Sequence, residues 1–589
     1  MIKRIVFFTL LALMLLPVFQ HGTKLFHVRP LDGDFILNPR PAFSWKGWMN
    51  GSFQSQFNNY IEDHIGFRNF PVRLNNQIDF SLFSKANAEG VVVGKDNILL
   101  EYDYIRAYTG GDFIGKNTID KKLNKVKFLQ KHLKQNYDID LVLVFEPSKA
   151  RYQTESIPEH YLKNGISLSN YEYFTQQAAE KKINHLDLNR LFQTAKDTTS
   201  MLLYPKYGIH WSEGTMPFVI DTLVSYLENL RNIRMPEYGV DNVVLSDTLN
   251  SGDYDVGKTI NLLWKLPHPP MPYPTFKFNN NAEGEKPMVL AVADSYYWNI
   301  FNTRVPSNIF ANEAFWYFNA KVYPDFYFGE KWVKDLNLKA EIEKQDIIII
   351  SVTERFMYKF GWNFIEQVYN LYTPEYTGHI IEKYEEQIRM DAGWFDEIVL
   401  KAERDGIVLE EAIQKEAYYQ AWVQEPETFL TWFGQEHYES VIRNDKKWND
   451  AIKAKAAENK KTYEEQLTED ADYIFRQEKP QIRTKYNLIK HFSRSICADP
   501  AWLSQVTEKA RGYEMDVETM LRVDAEYMAN QQINPADPLE EKTKTYINLI
   551  RADASWLESV QKKAVERGIS LDQMIQEDAR YMAEQELKK

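Results

Sequence analysis

A strict repeat fills the last third of the chain. Trp394, Trp448, Trp502 and Trp556 recur at one constant interval, and Tyr419, Tyr473, Tyr527 and Tyr581 keep the same interval. So do Ala402, Ala456, Ala510 and Ala564, and likewise Ile388, Ile442, Ile496 and Ile550. Tyr384, Tyr438, Phe492 and Tyr546 form a fifth register, and Asp391, Asp445, Asp499 and Asp553 a sixth. Six registers without an insertion define four tandem units, 374–427, 428–481, 482–535 and 536–589. In the last unit, apolar residues three and four apart predict three helices. Glu540 to Arg551 carries Tyr546, Ile547 and Ile550 on one face. Asp553 caps a second helix, from Trp556 through Val560 to Ala564, which stops near Gly568. Ser570 caps a third, through Met574, Ala579 and Tyr581. On this reading the repeated Asp is a cap and the repeated Trp and Tyr are core, in preference to a ligand set or a glycan-stacking row. A stack of such units leaves an outer face on which a protein partner can dock.

The other two thirds read differently. A chain of 589 residues exceeds what one core holds. Short apolar runs, Leu141 to Phe145, Met288 to Ala293 and Ile347 to Val352, have the look of buried parallel strands. Between them lie helical stretches: Lys121 to Gln135, Asn170 to Lys182 and Gly214 to Asn232. Strands alternating with helices predict an α/β domain over residues 25–373, with a doubly wound, mainly parallel sheet. The proline-rich stretch Pro267 to Pro274 is expected to be loop, close to a substrate groove. Residues 1–24 combine Lys3 and Arg4 with an apolar run from Ile5 to Phe19 that Pro17 closes. That is the pattern of an export signal, and the poor cleavage site favours an uncleaved signal anchor. The run is short of the roughly 20 residues of a full span. A single cysteine, Cys497, rules out an intramolecular disulfide and is expected to be a small packing residue. The net charge of −13 argues against broad binding to nucleic acid or to anionic lipid. No dinucleotide fingerprint or phosphate loop occurs, and His64 beside Asp63 lacks a metal-ligand cluster, so neither cofactor nor metal is expected.

Two segments carry chemistry. AVADSYY breaks from an apolar strand into Asp294-Ser295, which sets a small nucleophile at a sheet rim. YGIHWS delivers His210 from a loop. A serine whose hydroxyl meets a histidine is an acyl-transfer or ester-cleaving site. Singly, each has a plainer reading: a His packed on Trp211, and a Ser in a turn or cap. Their pairing is what points to catalysis.

Around these two segments the chain resembles the SGNH-hydrolase-like domain of polysaccharide O-acetyltransferases of the AlgJ and AlgX kind. The resemblance runs over roughly residues 50–370. Its pieces are the segment Phe57 to Phe83, the turn VVVGKDNILL from Val91, VFEPSKARYQTESIP around Lys149, Ile209 to Trp211, Ala293 to Ser295, and SVTERF with Glu354 and Arg355. It implies acetyl transfer onto an exported glycan, with Ser295 as nucleophile and His210 as general base. It implies a polysaccharide acceptor, a membrane-bound O-acyltransferase as acetyl donor, and a periplasmic location. Asp294, Trp211, Tyr296, Arg355, Glu354 and Lys149 are the candidate substrate-binding or supporting residues. Glu354 and Arg355 read as an internal ion pair, and Tyr296, Tyr297 and Trp298 as groove lining or helix packing.

One departure stands out. The family pattern is Asp-x-His-Trp, and here Gly208 holds the acid's position. Glu213, Asp294 or Asp187 could replace it, a Ser-His dyad could suffice, or the domain could bind glycan without turnover. Asp294, next to Ser295 at a strand end, suits loop-fixing better than the missing acid. Serine and histidine in context favour a working O-acetyltransferase. An acetyl esterase of the same fold and a glycan-binding assembly protein are the alternatives.

Overall fold

The computed structural model describes residues 2–33, 36–199, 201–250, 252–279, 283–373, 380–533 and 538–587. The expected boundaries at 373/374 and 535/536 adjoin or fall among residues outside these segments. Ten strands occur in chain order among the described residues. They are β1 (Val91–Val93), β2 (Leu99–Glu101), β3 (Asp140–Glu146), β4 (His185–Asp187), β5 (Tyr238–Ser246), β6 (Met271–Phe278), β7 (Val289–Ala293), β8 (Ala314–Tyr317), β9 (Lys321–Tyr323) and β10 (Ile347–Thr353).

Six of them build the central sheet in the order β4-β3-β10-β7-β8-β9. β10 runs parallel to both neighbours, with Ile347 opposite Asp140 on one side and Val289 on the other. β4 and β8 extend the parallel sheet, and only β9 is antiparallel. The apolar runs of β3, β7 and β10 are buried at every position, as a sheet covered on both faces requires. The expected helices form as Lys116–Tyr137, Asn170–Glu180 and Met216–Arg231. This is the doubly wound, mainly parallel sheet that the sequence predicts.

β5 and β6 make a separate antiparallel ribbon. Here the structure corrects the sequence reading: Pro272 and Pro274 lie in a strand, not a loop. A two-stranded ribbon leaves every second N–H of each strand unpaired, so proline there need remove no ladder bond.

The chain divides into two compact units. Unit 1 comprises Met1–Thr377 with Glu385–Glu416, and unit 2 comprises Gly378–Tyr384 with Ala417–Lys589. The expected repeat 374–427 is thus shared between them. Within unit 1, buried Arg389 binds Glu410 at 2.7 Å, and Tyr358 stacks on Phe395 at 4.3 Å.

Among its described residues, unit 2 contains helices and no strand. Helices begin at Lys446, Pro500 and Ala554, and again at Tyr463, Val517 and Leu571, both series in step with the sequence repeat. The repeated aspartates cap the second helix of each triplet: Asp445 accepts from the Trp448 N–H at 2.9 Å, and Asp553 from that of Trp556 at 3.0 Å. Lys455–Asp470, Lys509–Asp524 and Lys563–Asp578 tie second helices to third at 2.6–2.9 Å. Repeated Ala and Ile positions are buried, including Ala456, Ala510, Ile442 and Ile496. The repeated tyrosines are not. Tyr419, Tyr473, Tyr527 and Tyr581 are 55–60% exposed, because Ala417, Ala471, Ala525 and Ala579, two positions earlier, turn to the core instead. Cys497 is also exposed rather than packed. It occupies the register that Arg443 and Arg551 hold in the flanking repeats, where each arginine pairs with an acid, Glu464 and Asp572.

The N-terminal helix α1 runs Ile2–Thr23, straight through Pro17, where the sequence suggests a stop. At 22 residues it is long and apolar enough to cross a membrane, and almost wholly exposed.

Candidate active site

β7 ends at Ala293, and the turn that follows sets Ser295 at the carboxyl edge of the sheet. Buried Asp294 fixes that turn: it accepts from the Tyr296 N–H at 3.0 Å and from both the N–H and hydroxyl of Thr353 at 2.8 Å. Asp294 is therefore the loop-fixing residue, and not an acid facing His210. Beneath it, Glu146 accepts the Ser351 hydroxyl at 2.7 Å. Burial, and the neighbouring Asp294, push the Glu146 carboxyl well above its usual range.

His210 sits in the loop between the helices Leu188–Ala195 and Met216–Arg231. Its Nε2 lies 3.0 Å from Ser295 Oγ. Its Nδ1 lies 2.7 Å from Asp255 Oδ2, which assigns the proton to Nδ1 and leaves Nε2 to accept. The Asp255 carboxylate is held in turn by the N–H groups of Ile209 and Val256, at 3.0 and 2.6 Å. The acid thus comes from the connection between β5 and β6, far along the chain from the histidine.

The departure at Gly208 has a steric cause. A Cβ there would fall 2.4 Å from the Gly252 carbonyl oxygen and 2.9 Å from the Asp253 carbonyl carbon. The segment that delivers Asp255 occupies the space that a side chain at 208 would need. The other expected acids are elsewhere. Glu213 accepts from Asn250 at 2.9 Å, and Asp187 caps the helix Leu188–Ala195 and accepts from Tyr171.

Tyr296 clamps both sides of the histidine. Its hydroxyl donates to the Ile209 carbonyl at 2.6 Å, and its own carbonyl accepts from the Trp211 indole at 3.2 Å. Tyr296 and Trp211 are fully buried, so they support the site and do not line it. Of the expected aromatic trio, Tyr297 is buried too, and only Trp298 reaches the cleft.

Lys149 has the least ordinary surroundings. It is fully buried, and its ammonium donates to the carbonyls of Pro205, Lys206 and Gly208 at 2.8, 3.2 and 2.6 Å. No carboxylate pairs with it among the described residues. Burial pulls its pKa down to about 7, against the charges of Asp255 and Glu101, which favour the ammonium form. Three donors on three carbonyls pin the strand of chain that leads into His210.

Glu354 and Arg355 do not pair with each other, contrary to expectation. Arg151 takes Glu354 at 2.9 Å, and Arg355 takes Asp103 at 2.9 Å and Glu101 at 2.5 Å. Neighbours along a 3-10 turn project in different directions, so each finds a partner on another element.

The Ser295–His210–Asp255 line opens into a cleft of about 650 Å³. Glu213, Lys258, Pro274, Phe276, Trp298 and Asn299 are among its walls. Asn299 lines the same cleft as Ser295, and its side-chain amide makes one long 3.5 Å bond to the Trp211 carbonyl.

Against known proteins, residues 91–233 match the family described as the SGNH hydrolase-like domain of the acetyltransferase AlgX. The matched segment contains Lys149 and His210 and ends before Asp255 and Ser295. The O-acetyltransferase domain of Pseudomonas putida AlgJ is 16% identical, over 48% of this chain and 99% of its own, with a TM-score of 0.32. Pseudomonas aeruginosa AlgX is 13% identical, over 49% of this chain and 71% of its own, with a TM-score of 0.32. Bacillus cereus PatB1 is 12% identical, over 45% and 96%, with a TM-score of 0.28. No curated protein matches.

Proposed function

We propose, from the premise that residues 91–233 carry an SGNH hydrolase-like domain of the AlgX acetyltransferase family, that this protein is an exported O-acetyltransferase. It moves acetyl groups onto hydroxyls of a cell-surface or secreted polysaccharide. The observation that carries the reading is the unbroken line Ser295 Oγ–His210–Asp255, with steps of 3.0 and 2.7 Å.

The reaction proceeds in two halves. Ser295 Oγ attacks the acetyl carbonyl of the donor as its proton passes to His210 Nε2. The leaving group takes that proton, and acetyl-Ser295 remains. An acceptor hydroxyl then gives its proton to His210 and attacks the acetyl carbon, and Ser295 recovers its proton as the ester breaks. Asp255 holds the imidazole in register and stabilises its cation in both halves. The Ser295 N–H and the Asn299 amide supply the hydrogen bonds to the oxyanion, each worth about 100- to 1000-fold. Water in place of the acceptor gives hydrolysis, so exclusion of water from the cleft separates transferase from esterase.

The proposal extends to the whole chain. Residues 1–24 tether the α/β domain, 25–373, on the periplasmic side of the membrane, next to a membrane-bound O-acyltransferase that donates the acetyl group. Four helical repeats, 374–427 to 536–589, dock a protein partner.

A chromogenic acetyl ester tests the site. Acetate release by the wild type, lost by at least about 1000-fold in Ser295→Ala with the folding transition unchanged, supports it. Absence of release by the wild type at every pH overturns it in favour of a glycan-binding assembly protein. Addition of acceptor glycans then distinguishes transfer, with acetate release replaced by acetylated glycan, from esterase action.

A further inference from the structure

Two short helices follow α1: α2 (Trp45–Met49) and α3 (Ser52–His64). Together they bury almost nothing. No residue of α3 is buried, and in α2 only Gly47 is. At their tip Phe43, Trp45, Trp48 and Met49 are 55%, 75%, 46% and 81% exposed. Large apolar side chains held this open on a folded domain mark a contact surface.

The tip is ordered from within. Phe43 packs edge-on against Trp45 and Phe53, at 5.5 and 5.3 Å, and Phe53 stacks on Phe57 at 5.7 Å. The aromatic row continues through Tyr60 to His64, whose rings lie 4.3 Å apart. There it meets α1, where the His64 carbonyl is 2.6 Å from the His21 ring. Gln20 secures the same junction through both its amide groups to the Phe26 main chain, at 2.7 and 3.0 Å. The exposed ledge is thus continuous with the base of the apolar helix.

Charge identifies what covers it. The chain as a whole carries −13. The segment from Met1 to His64, where α3 ends, reverses that balance: Lys3, Arg4, Lys24, Arg29, Arg40 and Lys46 stand against Asp32, Asp34, Glu62 and Asp63. Asp32 is engaged by Arg29 at 2.9 Å and Arg73 at 3.4 Å. Lys24, at the end of α1, and Arg40 and Lys46, on either side of Phe43 in the chain, are all exposed. Tryptophan and phenylalanine at headgroup depth, flanked by lysine and arginine, match the interface of an anionic bilayer.

We propose that α2 and α3 form a membrane-surface foot. Phe43, Trp45, Trp48 and Met49 enter the headgroup layer of an anionic bilayer, with Arg40 and Lys46 on lipid phosphates, beside the point where α1 leaves the membrane. The proposal rests on the anchor reading of α1. A tether alone lets unit 1 swing, whereas a tether and a foot fix its tilt.

Spin labels test this in the full-length chain, in vesicles of phosphatidylethanolamine and phosphatidylglycerol. Cys497→Ser removes the native thiol. Single labels are then placed at Trp45→Cys, Trp48→Cys, Leu13→Cys in α1, and Phe328→Cys, an exposed site elsewhere on unit 1. Collision with oxygen, relative to a water-soluble nickel complex, should be about threefold or more higher at 45 and 48 than at 328. If labels at 45 and 48 match 328 while the Leu13→Cys label is lipid-like, α1 spans and the foot is overturned. If the labels at 45 and 48 are shielded from both reagents, a protein surface covers the ledge and the lipid assignment is likewise overturned. An aqueous signal at Leu13→Cys overturns the anchor itself, and the foot with it. Unchanged ester cleavage in each labelled chain verifies folding.

Discussion

Polar groups in the sheet unit and in the helical unit are deployed in opposite ways. In unit 1, Lys149, Asp294, Glu146 and Glu354 are each fully buried, and each occurs in an arrangement found once. In unit 2, Lys455–Asp470, Lys509–Asp524 and Lys563–Asp578 recur once per repeat, with each lysine a third or more exposed. A buried, singular polar group is costly unless its partners are fully supplied, so it persists where it holds something in place. A periodic surface pair costs little and contributes little. The contrast separates side chains that organise a site from those that tie one helix to the next.

The comparison predicts a descending series of effects. The largest belongs to Asp255→Asn, which should lower kcat for acetyl-ester cleavage by about 100- to 10⁴-fold with the thermal transition unmoved. Full activity in that variant would return the site to a Ser-His dyad.

Lys149→Met should come next, and should differ in kind. Three buried carbonyls lose their donor, at a cost of about 2–4 kcal/mol in urea unfolding. The slackened His210 loop should reduce kcat more than it raises KM, and Lys149→Arg should recover only part of either. A variant that loses stability with kcat intact would make Lys149 structural alone.

A pH series sharpens the unit 1 side of the contrast. Burial pushes Asp112 up to about 7 from its ordinary 3.8. The folded state therefore holds a proton that the unfolded state has released between those values, so stability from this group is complete below pH 3.8 and lost as pH rises through 7. Asp112→Asn removes the dependence. Its stability relative to wild type should rise between about pH 4 and pH 8, by up to about 4 kcal/mol. A pH-independent difference would break the assignment.

The smallest effect belongs to unit 2: Lys455→Ala should cost under about 1 kcal/mol and nothing in ester cleavage. A loss comparable to that of Lys149→Met would erase the distinction between the two units.

How much of this was legible beforehand depends on whether the signal is local. The strands β3, β7 and β10 were readable because a strand buried on both faces must be continuously apolar. The repeated Asp caps were readable because capping is settled within a single turn. Ser295 and His210 were readable as a pair. The repeated Tyr positions were misread as core, since a helical stripe with Ala and Tyr two positions apart does not say which one turns inward. Pro272 and Pro274 were misread as loop because their strand has only one partner.

Sequence by itself determined the alternation of strand and helix, the constant repeat period and the candidate pair Ser295 and His210, since each is written in residues a few positions apart or at a fixed interval. Only the tertiary structure decided that Asp255 faces His210, that Gly208 must lack a side chain to admit it, and that Lys149 grips the same loop. Those three facts depend on distant segments competing for one small volume, and steric exclusion between such segments leaves no mark on the order of residues.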